Sequence, residues 1–247
     1  MTKYSYTKLP LIFTLILLIF TSCSHKEKND SAEYLYIEAM KELKNKNYTQ
    51  AIELFEKIND NHPLSKWSVK GQIMITYAYY KQGSYDEAAG AAQSFIQNNP
   101  NHKDVPYVQY LYAMSYYNRI PNIKRGQDNT KIASYGFREL IARFPDSKYS
   151  EDAGKKLHVV DEHLAGAKME IGRYQISNKN YVGAIKHFNN VISNDKNSNQ
   201  MPEAYYRLFE IYYKIGMNSE AQKALLQLKQ LYPESRWYQY AIKIQAN

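Results

Sequence analysis

Apolar residues recur along this chain three to four positions apart, in blocks separated by short polar turns. Ala51, Ile52, Phe55 and Ile58 share one helix face, Ile73, Tyr77 and Tyr80 another, and Ala88, Ala92, Phe95 and Ile96 a third. The segment Ala78-Tyr79-Tyr80-Lys81-Gln82-Gly83-Ser84-Tyr85-Asp86-Glu87-Ala88 reads as the end of a helix, a tight turn at Gly83 and the start of a second helix. The unit returns. Ala51, Ala88, Ala133, Ala184 and Ala221 stand where two helices must touch, at spacings of 37, 45, 51 and 37 residues. Pro63 and Pro100 are also 37 apart. A proline inside a helix costs about 3 kcal/mol, so these prolines mark boundaries between pairs. The pattern predicts an all-α fold, an α-solenoid of about five helix pairs spanning residues 32–240.

The first pair runs from about Ala32 to Asn61, with Asp30 or Ser31 as its cap, and the second ends at Pro100. The third joins a helix over Val108–Tyr117 to one over Ile132–Arg143 and closes at Pro145. Its excess length falls between Asn118 and Asn129, where Pro121, Gly126 and polar residues predict a loop: a functional loop or a tolerated insertion. Ser150–Ala165 reads as an added helix, followed by a fourth pair over Lys168–Ser177 and Val182–Ile192. The fifth pair covers Glu203–Lys214 and Glu220–Leu231, and Trp237, Tyr238 and Tyr240 belong to a terminal cap. Residues 32–149 are the N-terminal repeats and 150–240 the C-terminal ones.

The first 22 residues have a different character. Lys3 and Lys8 precede a 12-residue apolar run, Leu9 to Phe20, shorter than the roughly 20 residues a membrane span requires. This is a secretory signal peptide, and Cys23 follows it directly. Cys23 is the only cysteine, so the chain makes no intrachain disulfide. Phe20-Thr21-Ser22-Cys23 resembles the lipidation site of bacterial lipoproteins, with Phe20 where leucine is commoner. That resemblance implies cleavage before Cys23, acylation of that residue, and residues 23–31 as a tether. Multiple acyl chains hold a protein on a membrane stably where one does not. Ser24, in place of aspartate, points to the outer membrane.

After removal of the leader the net charge is about +6, and it is dispersed. No stripe of Lys and Arg is interleaved with aromatics, so nucleic acid is not an expected partner. The 25 tyrosines suit helix junctions and protein-binding surfaces. No catalytic constellation stands out. His158 and His163 are five apart, off a common helix face, and no metal site is expected. The acidic pairs Asp86-Glu87 and Glu151-Asp152 open helices, where the dipole favours them. An enzyme is not expected, nor any cofactor beyond the lipid on Cys23.

The repeating unit resembles the tetratricopeptide repeat. It is carried by Ala39, Tyr48, Ala51, Phe55 and Pro63, by Tyr79, Gly83, Tyr85, Ala88 and Pro100, and by Ala113, Tyr116, Ala133, Phe137 and Pro145. Gly172, Tyr181, Ala184 and Phe188 carry the fourth unit, without a closing proline; Tyr212, Gly216, Ala221 and Pro233 carry the fifth. With the leader, Cys23, Pro100-Asn101-His102, Tyr107-Val108-Gln109-Tyr110-Leu111, Arg143 to Tyr149 and Tyr232 to Trp237, the whole resembles the BamD family, lipoproteins of the outer-membrane β-barrel assembly machine. Departures lie at Arg173-Tyr174-Gln175-Ile176 and near Arg125-Gly126.

The resemblance implies a scaffold on the periplasmic face of a Gram-negative outer membrane. Its partners would be the soluble POTRA domains of BamA, through the C-terminal repeats, and other lipoproteins of the machine where present. Its N-terminal concave face would take the C-terminal targeting segment of unfolded outer-membrane proteins. Mapped onto that face, the candidates are Tyr36, Met40, Leu43, Lys70, Ile73, Tyr77, Tyr80 and Lys81. An aromatic groove near lysines suits an aromatic tail ending in a carboxylate. The other reading is a repeat lipoprotein that serves as an adaptor for envelope proteins such as peptidoglycan enzymes.

Overall fold

Helix ends follow from local chemistry. Ser31, Ser65, Ser147 and Ser235 take extended backbone, and their side chains accept hydrogen bonds from the amides of Tyr34, Trp67, Tyr149 and Tyr238. Each such cap is worth about 1 kcal/mol. The computed structural model describes residues 30–246, so the signal region and Cys23 lie outside the described residues. Among the described residues it forms α1 (Ala32–Lys44), α2 (Tyr48–Asn61), α3 (Lys66–Gln82), α4 (Tyr85–Asn98), α5 (Val105–Tyr117), α6 (Asp128–Arg143), α7 (Lys148–Ser177), α8 (Tyr181–Asn194), α9 (Met201–Lys214), α10 (Asn218–Leu231) and α11 (Arg236–Gln245), with no strand.

Four of the five pairs turn on one residue in the left-handed region: Lys46 (φ 63°), Gly83 (φ 88°), Lys179 (φ 59°) and Gly216 (φ 79°). Each turn closes alike. Ser84 N donates to Tyr79 O at 3.0 Å, Asn47 N to Glu42 O at 2.9 Å, Asn180 N to Gln175 O at 2.9 Å and Met217 N to Tyr212 O at 2.9 Å. The identical tetrapeptides Asn45-Lys46-Asn47-Tyr48 and Asn178-Lys179-Asn180-Tyr181 do with lysine what the other two turns do with glycine. An L-side chain there is strained.

The second helix of every pair buries a three-layer stripe. Its first layer is Ala51, Ala88, Ala133, Ala184 or Ala221, and its last is Ile58, Phe95, Leu140, Val191 or Leu228. Between them lie Phe55, Phe137, Phe188 and Leu225, but Ala92 in the second pair. There the large ring sits one turn further along, at Phe95. The facing positions of the first helices are small where the ring is large. A Cβ at Gly172 would sit 2.5 Å from Phe188 Cε1.

Several expected boundaries shift: α6 begins at Asp128 rather than Ile132, α9 at Met201 rather than Glu203 and α10 at Asn218 rather than Glu220. α5 begins at Val105 rather than Val108, because Pro106 occupies the first turn, where a missing N–H costs nothing. More substantially, the added helix and the first helix of the fourth pair are one continuous helix, the 30-residue α7. No proline interrupts Ala165-Gly166-Ala167, and all three are buried within the continuous helix. The N-terminal half of α7 packs Ala153 and Val160 with Phe137 and Leu140 of α6. Its C-terminal half places Met169 in a core with Phe188 of α8 and Phe209 of α9. The missing closing proline of the fourth pair is replaced by polar ties. Lys168 Nζ lies 2.8 Å from Asp195 Oδ2, and Glu162 accepts from Ser198 Oγ at 3.1 Å and Asn199 N at 2.9 Å.

The first helices adjoin one another: α1 meets α3, α3 meets α5, α5 meets α7, and α9 meets α11. The second helices meet mainly their sequence neighbours. The stack therefore curves with the first helices on its inner face.

Added volume at the helix crossings is expected to destabilise. Gly172→Ala and Ala88→Leu should each lower the melting temperature, at a cost of about 1–3 kcal/mol. Unchanged melting would contradict the packing. Conversely, Lys179→Gly relieves the left-handed residue and should raise stability by about 1 kcal/mol, measured by urea denaturation.

Candidate functional site

The inner face is built largely of tyrosine, and its first ring contact spans the first two pairs. The Tyr36 ring of α1 lies 4.8 Å from that of Trp67 in α3 and 5.5 Å from that of Phe55. Trp67 stands two residues after its capping Ser65, with Lys66 Nζ 5.1 Å and Lys70 Nζ 4.6 Å from its ring centre. Met40, one turn beyond Tyr36, is 36% exposed.

Leu43 and Ile73 lie elsewhere than the sequence pattern implied. Leu43 packs with Leu35 and Ala39 against α2, and Ile73 packs with Phe95 and Val108. Both are core residues with no surface for a peptide. Helix spacing identifies a face, but a first helix in a solenoid is covered by its own partner on one side and by the preceding pair on another.

Tyr77, Tyr80 and Lys81 continue along α3, the tyrosines half-buried and the lysine exposed. The Tyr80 hydroxyl accepts from Asn118 Nδ2 at 3.0 Å. Across the groove, Tyr107 of α5 lies 5.1 Å, ring to ring, from Tyr149 of α7, and Tyr110 lies 5.6 Å from the same ring. Tyr110 donates to Asp152 Oδ2 at 2.6 Å. Burial raises the pKa of the Tyr107 hydroxyl, and the nearby hydroxyls of Tyr149, Tyr77 and Tyr80 raise it further. Burial and then the bond to Asp152 raise that of Tyr110. Three rings from α5 and α7 thus form one cluster, with the hydroxyls of Tyr77 and Tyr80 on α3 near that of Tyr107. Lys148 Nζ lies 5.1 Å from the Tyr149 ring, and Lys156 Nζ 5.6 Å from Tyr117.

Trp67, Tyr107, Tyr110 and Tyr149 were absent from the candidate peptide-binding residues, although the last three stand in the segments that carry the family resemblance. A signal for two of them exists: Pro-x-Ser, then a cation, then an aromatic recurs at 63–67, 145–149 and 233–237. The third copy builds a separate C-terminal cluster. Trp237 of α11 lies 5.2 Å from Tyr206 and 5.8 Å from Tyr240, with the Arg207 and Arg236 guanidinium carbons 5.6 and 4.7 Å from its ring. Arg207 is itself held by Glu203 at 3.3 Å and Glu210 at 2.9 Å.

The raised tyrosines tie stability to alkaline pH. Their hydroxyls stay protonated in the fold where those of the unfolded chain ionise, near pH 10. Their contribution is complete below that value and is lost as pH rises through the folded-state values. Urea denaturation should show stability falling above about pH 10, with a shallower fall in a Tyr107→Phe, Tyr110→Phe variant. Equal slopes would contradict the burial of these hydroxyls.

Comparison with known proteins places this architecture. Residues 28–228 match the family described as YfiO, outer membrane lipoprotein. The outer membrane protein assembly factor BamD of Rickettsia prowazekii is 36% identical over 98% of each chain. BamD of Caulobacter vibrioides is 32% identical over 93% of this chain and 78% of its own. The solved structure of PilW, a type IV pilus biogenesis factor, aligns with 85% of this chain and 98% of its own at 13% identity and a TM-score of 0.41, too distant to carry an argument. A family match over most of the chain, together with relatives aligned nearly end to end, makes this chain a member of the BamD family of outer membrane protein assembly factors, a non-enzymatic helical-repeat scaffold.

Proposed function

We propose that the inner face of α1, α3, α5 and α7 receives the C-terminal targeting segment of unfolded outer-membrane proteins. The observation that carries this reading is the tyrosine cluster itself. Lys148 lies over the Tyr149 ring, Lys70 over the Trp67 ring, and Lys81 is exposed one residue after Tyr80. Among the described residues none of those three lysines pairs with a carboxylate. Apolar rings flanked by unpaired ammonium groups complement a peptide that ends in an aromatic residue and a carboxylate. The contact set becomes Tyr36, Met40, Lys70, Tyr77, Tyr80 and Lys81, joined by Tyr107 and Tyr149.

The same proposal assigns the Tyr206, Trp237 and Tyr240 cluster to the soluble domains of BamA. Aromatic rings with arginine at their edges are the composition that dominates protein interfaces. Cys23, acylated after removal of the leader, would hold the scaffold on the periplasmic face of the outer membrane. No helix among the described residues is long and apolar enough to cross a membrane.

Two measurements test the reading. A fluorescent peptide ending in Phe-COO⁻ should bind the full-length protein, and Tyr77→Ala with Lys81→Glu should weaken it by about tenfold or more. Unaltered affinity would remove both residues from the site. Affinity purification in mild detergent should recover BamA, and Trp237→Ala should reduce that recovery. Recovery of peptidoglycan enzymes in place of BamA would favour the adaptor reading.

A further inference from the structure

The insertion that breaks the repeat after Tyr117 is an ordered wall. His163 Nε2 of α7 lies 2.8 Å from Pro121 O, which joins the loop to the helix. The Gln127 side chain donates to Asn122 O at 3.0 Å and Arg125 O at 2.8 Å, and its oxygen accepts from Thr130 Oγ1 at 2.7 Å. Asn129 Nδ2 donates to Arg119 O at 3.1 Å. At the other end Arg119 is ion-paired to Asp86 of α4. The loop is therefore fixed at both ends and along its length.

Between this wall and α7 runs a groove of about 570 Å³. Its floor is apolar, with Ile123, Leu164, Ala167 and Ile171, and Tyr174 stands beyond them with 64% of its surface exposed. The rim carries Lys124, Arg125 and Lys131. Glu170 is the one carboxylate of the lining, and it is already shared by Arg173 at 2.8 Å and Lys124 at 3.4 Å. Lys131 meets only the exposed Asp128 at 3.7 Å, and among the described residues Arg125 has no carboxylate partner. The groove thus combines an open apolar floor with uncompensated positive charge.

We propose that this groove is a second docking site, for an extended acidic segment of a partner protein that places one apolar or aromatic side chain on the floor. Charge complementarity selects the flanking carboxylates: Arg125 and Lys131 offer them donors, and the groove's own carboxylate is engaged. The volume selects a few side chains, since pockets of about 300–1,000 Å³ hold ligands of that size. Two walls favour a peptide over an anionic lipid surface, which would lie across the cations without filling the cleft. The site goes beyond the reading of the inner face and does not depend on it, because no residue is shared.

A random-peptide display library selected on the full-length protein, and counter-selected on an Arg125→Glu, Tyr174→Ala variant, tests this directly. Both substituted positions are exposed, and circular dichroism melting checks that the variant folds. The expected result is enrichment of peptides with two or more carboxylates around an apolar residue. A labelled peptide of that consensus should then lose about tenfold or more in affinity on Arg125→Glu alone, and measurably on Ile171→Ser. Enrichment of basic or purely apolar sequences, or no enrichment over the variant, would overturn the proposal. So would a difference between wild type and variant that appears only on phosphatidylglycerol vesicles, which would make the rim a lipid contact.

Discussion

Two helices can pack as a repeating unit only if their axes come close enough for each to cover the apolar stripe of the other, and in this chain a single methyl group per pair sets that distance. Ala51, Ala88, Ala133, Ala184 and Ala221 occupy the crossing in every pair, all of them buried. Around so close a crossing, a large side chain faces a small one. Phe188 fills the space above Gly172, and in the second pair the ring shifts from the middle layer to Phe95 while Ala92 takes its place. A densely packed interior accepts a large ring only where the position facing it is small.

The repeat is interrupted twice, by the insertion after Tyr117 and by the added helix after Pro145, and the second organises the rest. α7 is long enough, about 45 Å at 1.5 Å per residue, to be the added helix after the third pair and the first helix of the fourth. It takes part in two cores, one with Phe137 and one with Phe188. In a solenoid most coupling passes between neighbours. A continuous helix shared by two cores transmits displacement over a longer distance than a turn would. The insertion loop leans on the middle of this helix through His163, near the junction of its two halves.

The repeat register was legible in the sequence because it rests on alanine spacing, turn glycines and closing prolines, each with its own steric reason. The continuity of α7 was not, because a helix that persists and a helix that restarts have the same apolar period when no proline separates them. The turns at Lys46 and Lys179 were silent for a related reason: a left-handed lysine leaves no mark comparable to glycine. Tyr36, Tyr77 and Tyr80 were mapped to the inner face through the repeat register that the family resemblance supplied, whereas Leu43 and Ile73, mapped the same way, turn into the core. Missing Tyr107 and Tyr149 reflects the same limit, since a contact between α5 and α7 depends on curvature, which no single-helix pattern carries.

The tyrosines explain why such a face can be both a structural seam and a recognition surface. A tyrosine loses little side-chain freedom when it packs, and its hydroxyl stays available at the edge. Tyr107, Tyr110 and Tyr149 join α5 to α7 by ring contact, with the Tyr107 hydroxyl buried and that of Tyr110 bonded to Asp152. Removing one of these rings therefore changes stability and recognition together. The lysines at the border separate the two effects: Lys81 and Lys148 support no core and form no ion pair among the described residues, so their charge contributes to what the face attracts and hardly at all to how it folds. On such a surface, the aromatic component holds the scaffold rigid enough to present a groove, and the charge component decides which end of a chain is drawn into it.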